Sequence, residues 1–573
     1  MAAGKHPGWE QTAWDGIEQS IDIINEKRIK IIINGGAHNP KGLAEKTAEL
    51  VRFKGYDLKV AYVSGDNLLP VANDLLKEGA LPHLDADNSA VKLAKNTLSF
   101  LDDKYKPIVS ANAYLGAREI AQGLEAGADI IIAGRVADAS PVIGAAWYWH
   151  SWSETDFDRL AGALVAGHLI ECSAYVTGSN FAGFYELPKE ELYDLVFGIA
   201  EVEKDGSCVI TKHEKGRGFV TVDTVKCQFL YELQGNIYLN SDVKAILDGV
   251  QMEQVGKDRV KVWGIVGAPP PPTTKLAIFY RGGYQSELLL NATGYATKEK
   301  WDLYEETIKF GLKKRGVLDK FDILEFQRVG VPQYNPRSQL SSTTYLRIFA
   351  EASTPVPNGQ LLQTMQEFAM QHFSGFHSTM DMRTAFPIPF LSFYPAIIPQ
   401  SSLNCSVTIL PSISNKVPLS IQTTAPQKTE PLAKRETYDP VSPTALSNFG
   451  PTKQVKIGDV TLARSGDKGG NANVGFFVRV DRTGIQSWEW LRSFLTVSRM
   501  RELLGDDWRD EYFIERVEFP KIHAVHFVVY GILGRGVSGS ARLDGLGKGI
   551  ADYLRDKVVD VPVKFLEKVE SHL

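Results

Sequence analysis

The first third of the chain alternates short, unbroken apolar runs with stretches whose apolar residues recur at helical spacing. "IKIIING" (29–35) is an apolar run closed by glycine, and "PKGLAEKTAELVRFKG" (40–55) carries the helical pattern. "LKVAYVSG" (58–65) is the next strand and "NLLPVANDLLKEG" (67–79) the next helix. The alternation continues through "KPIVSAN" (106–112), "LGAREIAQGLEAG" (115–127) and "ADIIIAG" (128–134). Strands apolar on both faces, alternating with helices, predict a parallel sheet covered by helices. Ligands of such sheets bind at the carboxyl ends of the strands.

The middle of the chain is less regular. "TVKCQFLYELQG" (224–235) reads as a helix and "DRVKVWGIVG" (258–267) as a strand. "APPPPTTKLAIFYRGGY" (268–284) reads as a rigid proline turn feeding another strand. From 411 to 453 the chain is rich in Pro, Ser and Thr, a composition that buries too little apolar area to offset its ordering entropy. A linker is expected there. Beyond it come strands at 455–463 and 474–480, a helix at 488–505, strands at 514–519 and 524–533, a helix at 544–557 and a strand at 559–565. Taking the first two strand segments as one gives β-α-β-β-α-β, the ferredoxin-like order. The expected fold class is therefore α/β, with a large, mostly parallel α/β domain (28–410), a linker (411–453) and a smaller α+β ferredoxin-like domain (454–566).

Length agrees with more than one domain, since 573 residues exceed what one hydrophobic core serves. The 63 Lys and Arg against 68 Asp and Glu give a net charge of -5 with no long run of one sign, so no nucleic-acid partner is expected. Cys172, Cys208, Cys227 and Cys405 lie far apart without paired spacing, which argues against a disulfide framework or structural zinc. The first twenty or so residues lack an apolar signal core and carry Glu10 and Asp15, and no apolar stretch is long enough to span a bilayer. The expectation is a cytoplasmic protein with no membrane partner. Ser571, His572 and Leu573 resemble a variant of the peroxisomal Ser-Lys-Leu signal and leave that address open. "WYWHSWS" (147–153) gathers aromatic residues suited to a homodimer interface.

Candidate chemistry begins after "ADIIIAG". "RVADAS" places Arg135, Asp138 and Ser140 at a strand's carboxyl end, where a guanidinium can grip a carboxylate or phosphate and Asp138 can orient it or act as base. The alternative is a structural Arg–Asp pair closing the strand. In "DRLAGALVAGHLIEC" (158–172), His168 and Glu171 are three apart on one helix face, the arrangement of a positioned general base. The same pair could be two metal ligands without an evident third, or simply a buried hydrogen-bonded pair. Tyr175, Thr177, Ser179 and Asn180 follow on a glycine-broken loop that could contact substrate. "GFHSTMDMRTAFPIPF" carries His377, Asp381 and Arg383, and in extended chain the last two share a side. A second Arg–Asp constellation next to the first would suit a carboxylated ligand. "NGGAHNP" (34–40) is a plausible anion position, while "GRGVSG" (534–539) lacks the strand–helix context of a dinucleotide loop.

"ARSGDKGGNANVGFF" (463–477) holds more polar and glycine residues than a hairpin turn requires. Asp467, Lys468, Asn471 and Asn473 sit among glycines 466, 469 and 470, which permit positive φ and let backbone N–H groups converge on an anion. This loop is expected to form a polar pocket wall, docked by the small domain over the strand ends of the large one.

Five blocks, "GADIIIAGRVADASPVIG", "AGALVAGHLIECSAYVTGSNF", "GFVTVDTVKCQFLYELQG", "GFHSTMDMRTAFPIPF" and "ARSGDKGGNANVGFF", resemble the acyclic terpene utilisation (AtuA) family over about residues 28 to 565. The resemblance implies a fused ferredoxin-fold domain and a link to breakdown of terpenoid or branched acyl-CoA compounds, without supplying a reaction. With it, the residues suggest a cofactor-independent lyase, hydratase or hydrolase, without a metal, acting on a carboxylated or CoA-linked branched or terpenoid substrate in the interdomain cleft. Arg135 and Arg383 would hold the acid, and His168 or Asp138 would move the proton. The alternative is a non-catalytic binding or scaffolding subunit in acyl-CoA carboxylase-type metabolism.

Overall fold

The computed structural model describes residues 6–93, 97–479, 481 and 484–567, so the Ser571-His572-Leu573 ending lies outside the described residues. A helix that the apolar pattern did not announce, α1 (Gln11–Lys27), opens the fold and buries Trp14, Ile17, Ile21 and Ile24 as one stripe. β1 (Ile31–Ile33), α2 (Pro40–Phe53), β2 (Val60–Ser64), α3 (Leu69–Lys77), β3 (Ile108–Ala113), α4 (Arg118–Glu125) and β4 (Ile130–Ile132) then fall where the alternation predicts. β1 and β2 flank β4 in parallel, and all three isoleucines of β4 are wholly buried.

Parallel pairing stops there. β17 (Ser406–Ile409) runs antiparallel to β2, β18 (Leu419–Gln422) antiparallel to β17, and the sheet order is β1-β4-β2-β17-β18. β3, expected as a fourth parallel strand, instead pairs antiparallel with β12 (Thr273–Thr293). The α/β class holds, but the parallel part is smaller than expected, because an apolar run records burial and not the direction of the neighbouring strand.

The middle of the chain builds on α5 (Ser140–His150), α6 (Phe157–Ile170) and α7 (Val222–Phe229). α6 is buried on every side from Leu160 to Leu169. β5 (Gly198–Val202), β6 (Cys208–Lys212), β9 (Gln251–Gly256) and β10 (Arg259–Trp263) form one antiparallel sheet. β7 (Ile237–Leu239), β8 (Lys244–Ile246) and β11 (Val266–Ala268) form another. The strand expected over 258–267 is thus split at Gly264, whose φ is 82°. Of the "WYWHSWS" run, Trp147 and Trp152 are core residues and Trp149 is exposed.

β12 anchors a fourth sheet with β13 (Ile323–Val329), β14 (Thr343–Ala352), β15 (Phe376–Ser378) and β16 (Ile388–Pro399). One face of it is covered by α8 (Thr297–Lys314) and α9 (Pro355–Glu367), through Trp301, Ile308 and Leu361 against Leu288, Leu290 and Ile348.

The segment expected as a linker is ordered by borrowed partners. It contributes β18, Tyr438 N–H donates to Arg516 O at 3.0 Å, and Arg516 N–H donates to Thr437 Oγ1 at 3.1 Å. After it come β19 (Thr452–Lys456), β20 (Thr461–Lys468), β21 (Asn471–Val478), α10 (Ile485–Phe494), α11 (Val497–Leu504), β22 (Phe513–Phe519), β23 (Ala524–Tyr530), α12 (Ile550–Arg555) and β24 (Val558–Pro562). The two strand segments read as one are the separate arms of a hairpin, β20 and β21, in a sheet ordered β20-β21-β23-β22. β24 leaves that sheet to pair with β19. One face of the sheet lies under α10, α11 and α12, with Val474, Phe476, Phe527 and Val529 in their core. The opposite face joins the large domain, where Leu462, Phe477, Phe519 and Ala524 share a core with Phe229 and Leu230.

Candidate functional site

Alternation along the small-domain strands puts Arg464 and Lys468 of β20, Asn471 and Asn473 of β21, His526 and Tyr530 of β23 and Glu515 of β22 on the face turned to the large domain. That face is apolar at one end, where it packs on α7, and polar at the other. The polar end walls a cleft of about 2210 Å³ whose opposite sides come from the large domain and from residues 431–437. Asp138, Tyr238 and Lys275 line it from the large domain, and Lys468, Tyr530 and Glu515 from the small one.

The long loop read in "ARSGDKGGNANVGFF" is mostly strand. Lys468 pairs with Asn471 and only Gly469 and Gly470 turn the chain, Gly469 at a φ of 64°. A Cβ on Gly466 would collide with the ring of Tyr231, so this glycine permits the close approach of β20 to the large domain. Lys468 Nζ meets Glu232 Oε2 at 3.4 Å, with the two side chains 25% and 21% exposed. Burial alone would lower the ammonium's pKa, but Glu232, Glu171 and Asp138 together hold it above its ordinary value. Burial likewise opposes the charge on Glu232, and Lys468 with Tyr231 and His168 brings its pKa below the ordinary value. Glu232 has a φ of 58°, and its N–H donates to Asn473 Oδ1 at 2.9 Å. Asn473 Nδ2 donates to Leu230 O at 2.5 Å, so this asparagine is a clamp between the domains and does not line the cleft. Asn471 Oδ1 accepts Gly531 N–H at 3.0 Å. Burial and Glu232 raise the pKa of Asp467.

At the end of β4, Arg135 Nη2 donates to Asp138 Oδ1 at 2.6 Å and to Val136 O at 2.7 Å, and its guanidinium lies 4.4 Å from the Tyr114 ring centre. Its fork is spent on orienting Asp138, and it does not line the cleft itself. Lys275 takes the position in the cleft that Arg135 was expected to hold. Its ammonium stands 4.8 Å from the centre of the Tyr114 ring and 5.5 Å from that of Phe393, and among the described residues no carboxylate lies within ion-pair distance. Ser140 is buried and Oγ accepts from Asn240 Nδ2 at 3.1 Å.

His168 and Glu171 do face each other, Nδ1 to Oε1 at 3.3 Å, but His168 is fully buried, bonded through Nε2 to Phe229 O at 3.0 Å, and outside the cleft lining. The pair is a buried support beneath Tyr238, whose ring centre is 5.0 Å from the imidazole. Burial, with Glu171 and Asp138 nearby, pushes the Tyr238 hydroxyl well above its ordinary value, so it stays protonated. Among the described residues no three His, Cys, Asp or Glu side chains are placed to hold a metal ion.

Tyr175 and Asn180 belong to an adjoining group at the domain interface. Lys548 Nζ donates to the Tyr175 hydroxyl at 3.0 Å; burial would raise that hydroxyl's pKa, but Lys548, Asn180 and Arg464 bring it below the ordinary value. Arg464, 4% exposed, lies 4.3 Å from the Tyr231 ring centre and 5.2 Å from that of Tyr175, with no hydrogen-bond acceptor among the described residues. His377, Asp381 and Arg383 lie apart from all this. The Arg383 side chain is 88% exposed and paired to Asp381, whose carboxyl its hydrogen bonds hold down at about 2, and none of the three lines the cleft. The second constellation is not brought next to the first: Arg135 follows β4 of the first sheet, whereas His377 lies on β15 and Asp381 and Arg383 between β15 and β16, both of which pair with β12 in another sheet. At "NGGAHNP" the anion position is filled by Asn39, whose Oδ1 accepts Gly42 N–H at 3.0 Å.

Sequence reasoning missed Glu232, Tyr238, Lys275, Arg464, Glu515 and Tyr530. The signal for the last two was the parity of polar residues on strands 514–519 and 524–533, which matches that of Phe519 and Ala524 at the domain contact.

The family model described as acyclic terpene utilisation family protein AtuA matches residues 1–409, and that of the AtuA ferredoxin-like domain matches 455–560. The chain belongs to the AtuA family, which links it to acyclic terpene utilisation. No curated protein and no solved structure matches it.

Proposed function

We propose that this AtuA-family chain is an enzyme that binds a branched or terpenoid acid, free or as its CoA thioester, in the interdomain cleft and acts on it as a hydratase or lyase. The observation that carries this reading is Lys275, an ammonium in the cleft with no carboxylate partner among the described residues. An ammonium against two aromatic faces is partly desolvated, which strengthens its attraction for an incoming carboxylate. Lys468, paired with Glu232 and kept charged by Glu232 with Glu171 and Asp138 farther off, offers with the Tyr238 hydroxyl donors to negative charge developing on the substrate's carbonyl oxygen. Asp138, oriented by Arg135 and half-exposed in the cleft, is the carboxylate that moves the proton. In hydration it takes a proton from the attacking water and returns it to the adjacent carbon; elimination runs the same steps in reverse.

The test is to incubate the purified protein with a panel of branched acyl-CoAs and free acids and to read masses. Gain or loss of one water is expected. Asp138→Asn should abolish turnover with binding kept, and Lys275→Met should weaken binding. A ligand retained unchanged by the wild type would favour a non-catalytic binding subunit instead.

A further inference from the structure

The polar end of the small-domain sheet is a row that crosses all four strands. Lys468 is paired with Asn471, the next position across from Asn471 is Tyr530, and Tyr530 reaches diagonally to Glu515. All four side chains line the cleft. Strands are spaced about 4.8 Å apart, so the row extends about 14 Å from Lys468 to Glu515.

The far end of the row is built like a recognition point. Glu515 is 3% and Tyr530 4% exposed, yet both border the cleft, and the Tyr530 hydroxyl donates to Glu515 Oε2 at 2.8 Å. No other side-chain hydrogen bond reaches Glu515 among the described residues. Burial raises its pKa against the opposing pull of Arg435 and Tyr530. A carboxyl and a phenol withdrawn from water select an uncharged group that can hydrogen-bond to them, because a ligand lacking one leaves the buried pair unmatched.

We propose that Glu515 and Tyr530 form a second recognition point of the cleft, which takes a primary amide or similar uncharged hydrogen-bonding group carried about 14 Å from the acid end of the substrate. The cleft is then a ruler: Lys275 and Lys468 read the acid, the Glu515 end reads the distant polar group, and the strand ladder between them sets the distance. This rests on the acid-binding reading of Lys275 given above.

The experiment titrates the full chain with ω-carbamoyl alkanoic acids of increasing chain length, by calorimetry. Affinity should pass through a maximum at the length that spans the row, at least ten-fold above the shortest member. Glu515→Gln keeps a hydrogen-bonding side chain of the same shape and should keep the maximum; Glu515→Leu and Tyr530→Phe should flatten it. If affinity in the wild type only rises steadily with length, or if Glu515→Leu and Tyr530→Phe both keep the maximum, the ruler is wrong and the acid reading stands. If Lys275→Met binds every member as tightly as the wild type, the acid reading itself is wrong.

Discussion

Lys468→Met should weaken the attachment of the β20–β21 hairpin by about 1.5–3 kcal/mol at neutral pH, the range for a hydrogen bond to a charged group. At the 3.4 Å separation of Lys468 Nζ and Glu232 Oε2, an effective dielectric of about 20 gives a gross attraction of about 5 kcal/mol. Both side chains are at least three-quarters withdrawn from water, so desolvation offsets a large part of it. The pair term is isolated by a double-mutant cycle with Glu232→Gln, read as hydrogen exchange of peptides covering β20 and β21. Its pH course follows from the two directions. Glu232 titrates below its ordinary value, so its share is present above about pH 4.3 and is lost as pH falls through its own lower pKa. Lys468 titrates above its ordinary value, so its share is present below about pH 10.4 and is lost only as pH rises past that. The coupling should therefore be a plateau across neutral pH that collapses on the acid side. A coupling near zero at pH 7, or one unchanged in acid, would refute the reasoning.

Arg464→Met replaces a buried guanidinium that has no acceptor by an apolar side chain of similar length, and should be neutral or stabilising by up to about 4 kcal/mol in thermal unfolding; a clear loss of stability would show that the two tyrosine faces outweigh the desolvation. Arg383→Ala should change stability by no more than about 0.5 kcal/mol and leave turnover at the wild-type rate, since its side chain is 88% exposed and away from the cleft; a fall in rate would bring that loop back into the site. Ending the chain at residue 452 uncovers Phe229 and Leu230, which share their core with Leu462, Phe477, Phe519 and Ala524. The fragment should bind a hydrophobic dye and aggregate, and a soluble, cooperatively melting fragment would contradict the shared core.

The strands and helices of the first third were legible because burial imposes a period on them, and all the expected ones from β1 to β4 are present. What a period cannot encode is the neighbour: β3 looks like β4 in sequence yet pairs antiparallel in another sheet. The hairpin of β20 and β21 was hidden for a related reason. Its inward face carries Arg464, Lys468, Asn471 and Asn473, so the apolar alternation that marks a strand is missing and the residues read as loop. Asp138 and Lys468 could be found because each stands where chain geometry announces a site, after a parallel strand and beside a tight turn. Lys275 could not, since it sits inside a 21-residue strand where a lone lysine looks like an ordinary outward position. Glu232 was read into a helix that ends at Phe229, and only its left-handed backbone, held by Asn473, turns its side chain toward Lys468.

The split face of the small-domain sheet ties these findings together. Leu462, Phe477, Phe519 and Ala524 bind the domain down, while the row from Lys468 to Glu515 lies on the same strands a few residues away and borders the cleft. One rigid sheet therefore sets the position of both the interface and the site wall. A loop would leave the spacing of the four polar side chains free, whereas hydrogen-bonded strands fix it to the ladder. Loosening the apolar half must then displace the polar half as a unit, so Phe519→Ala should raise the KM for every substrate that Lys275 binds, whereas Tyr530→Phe within the row should change selectivity and leave the KM of a substrate without the distant polar group unchanged.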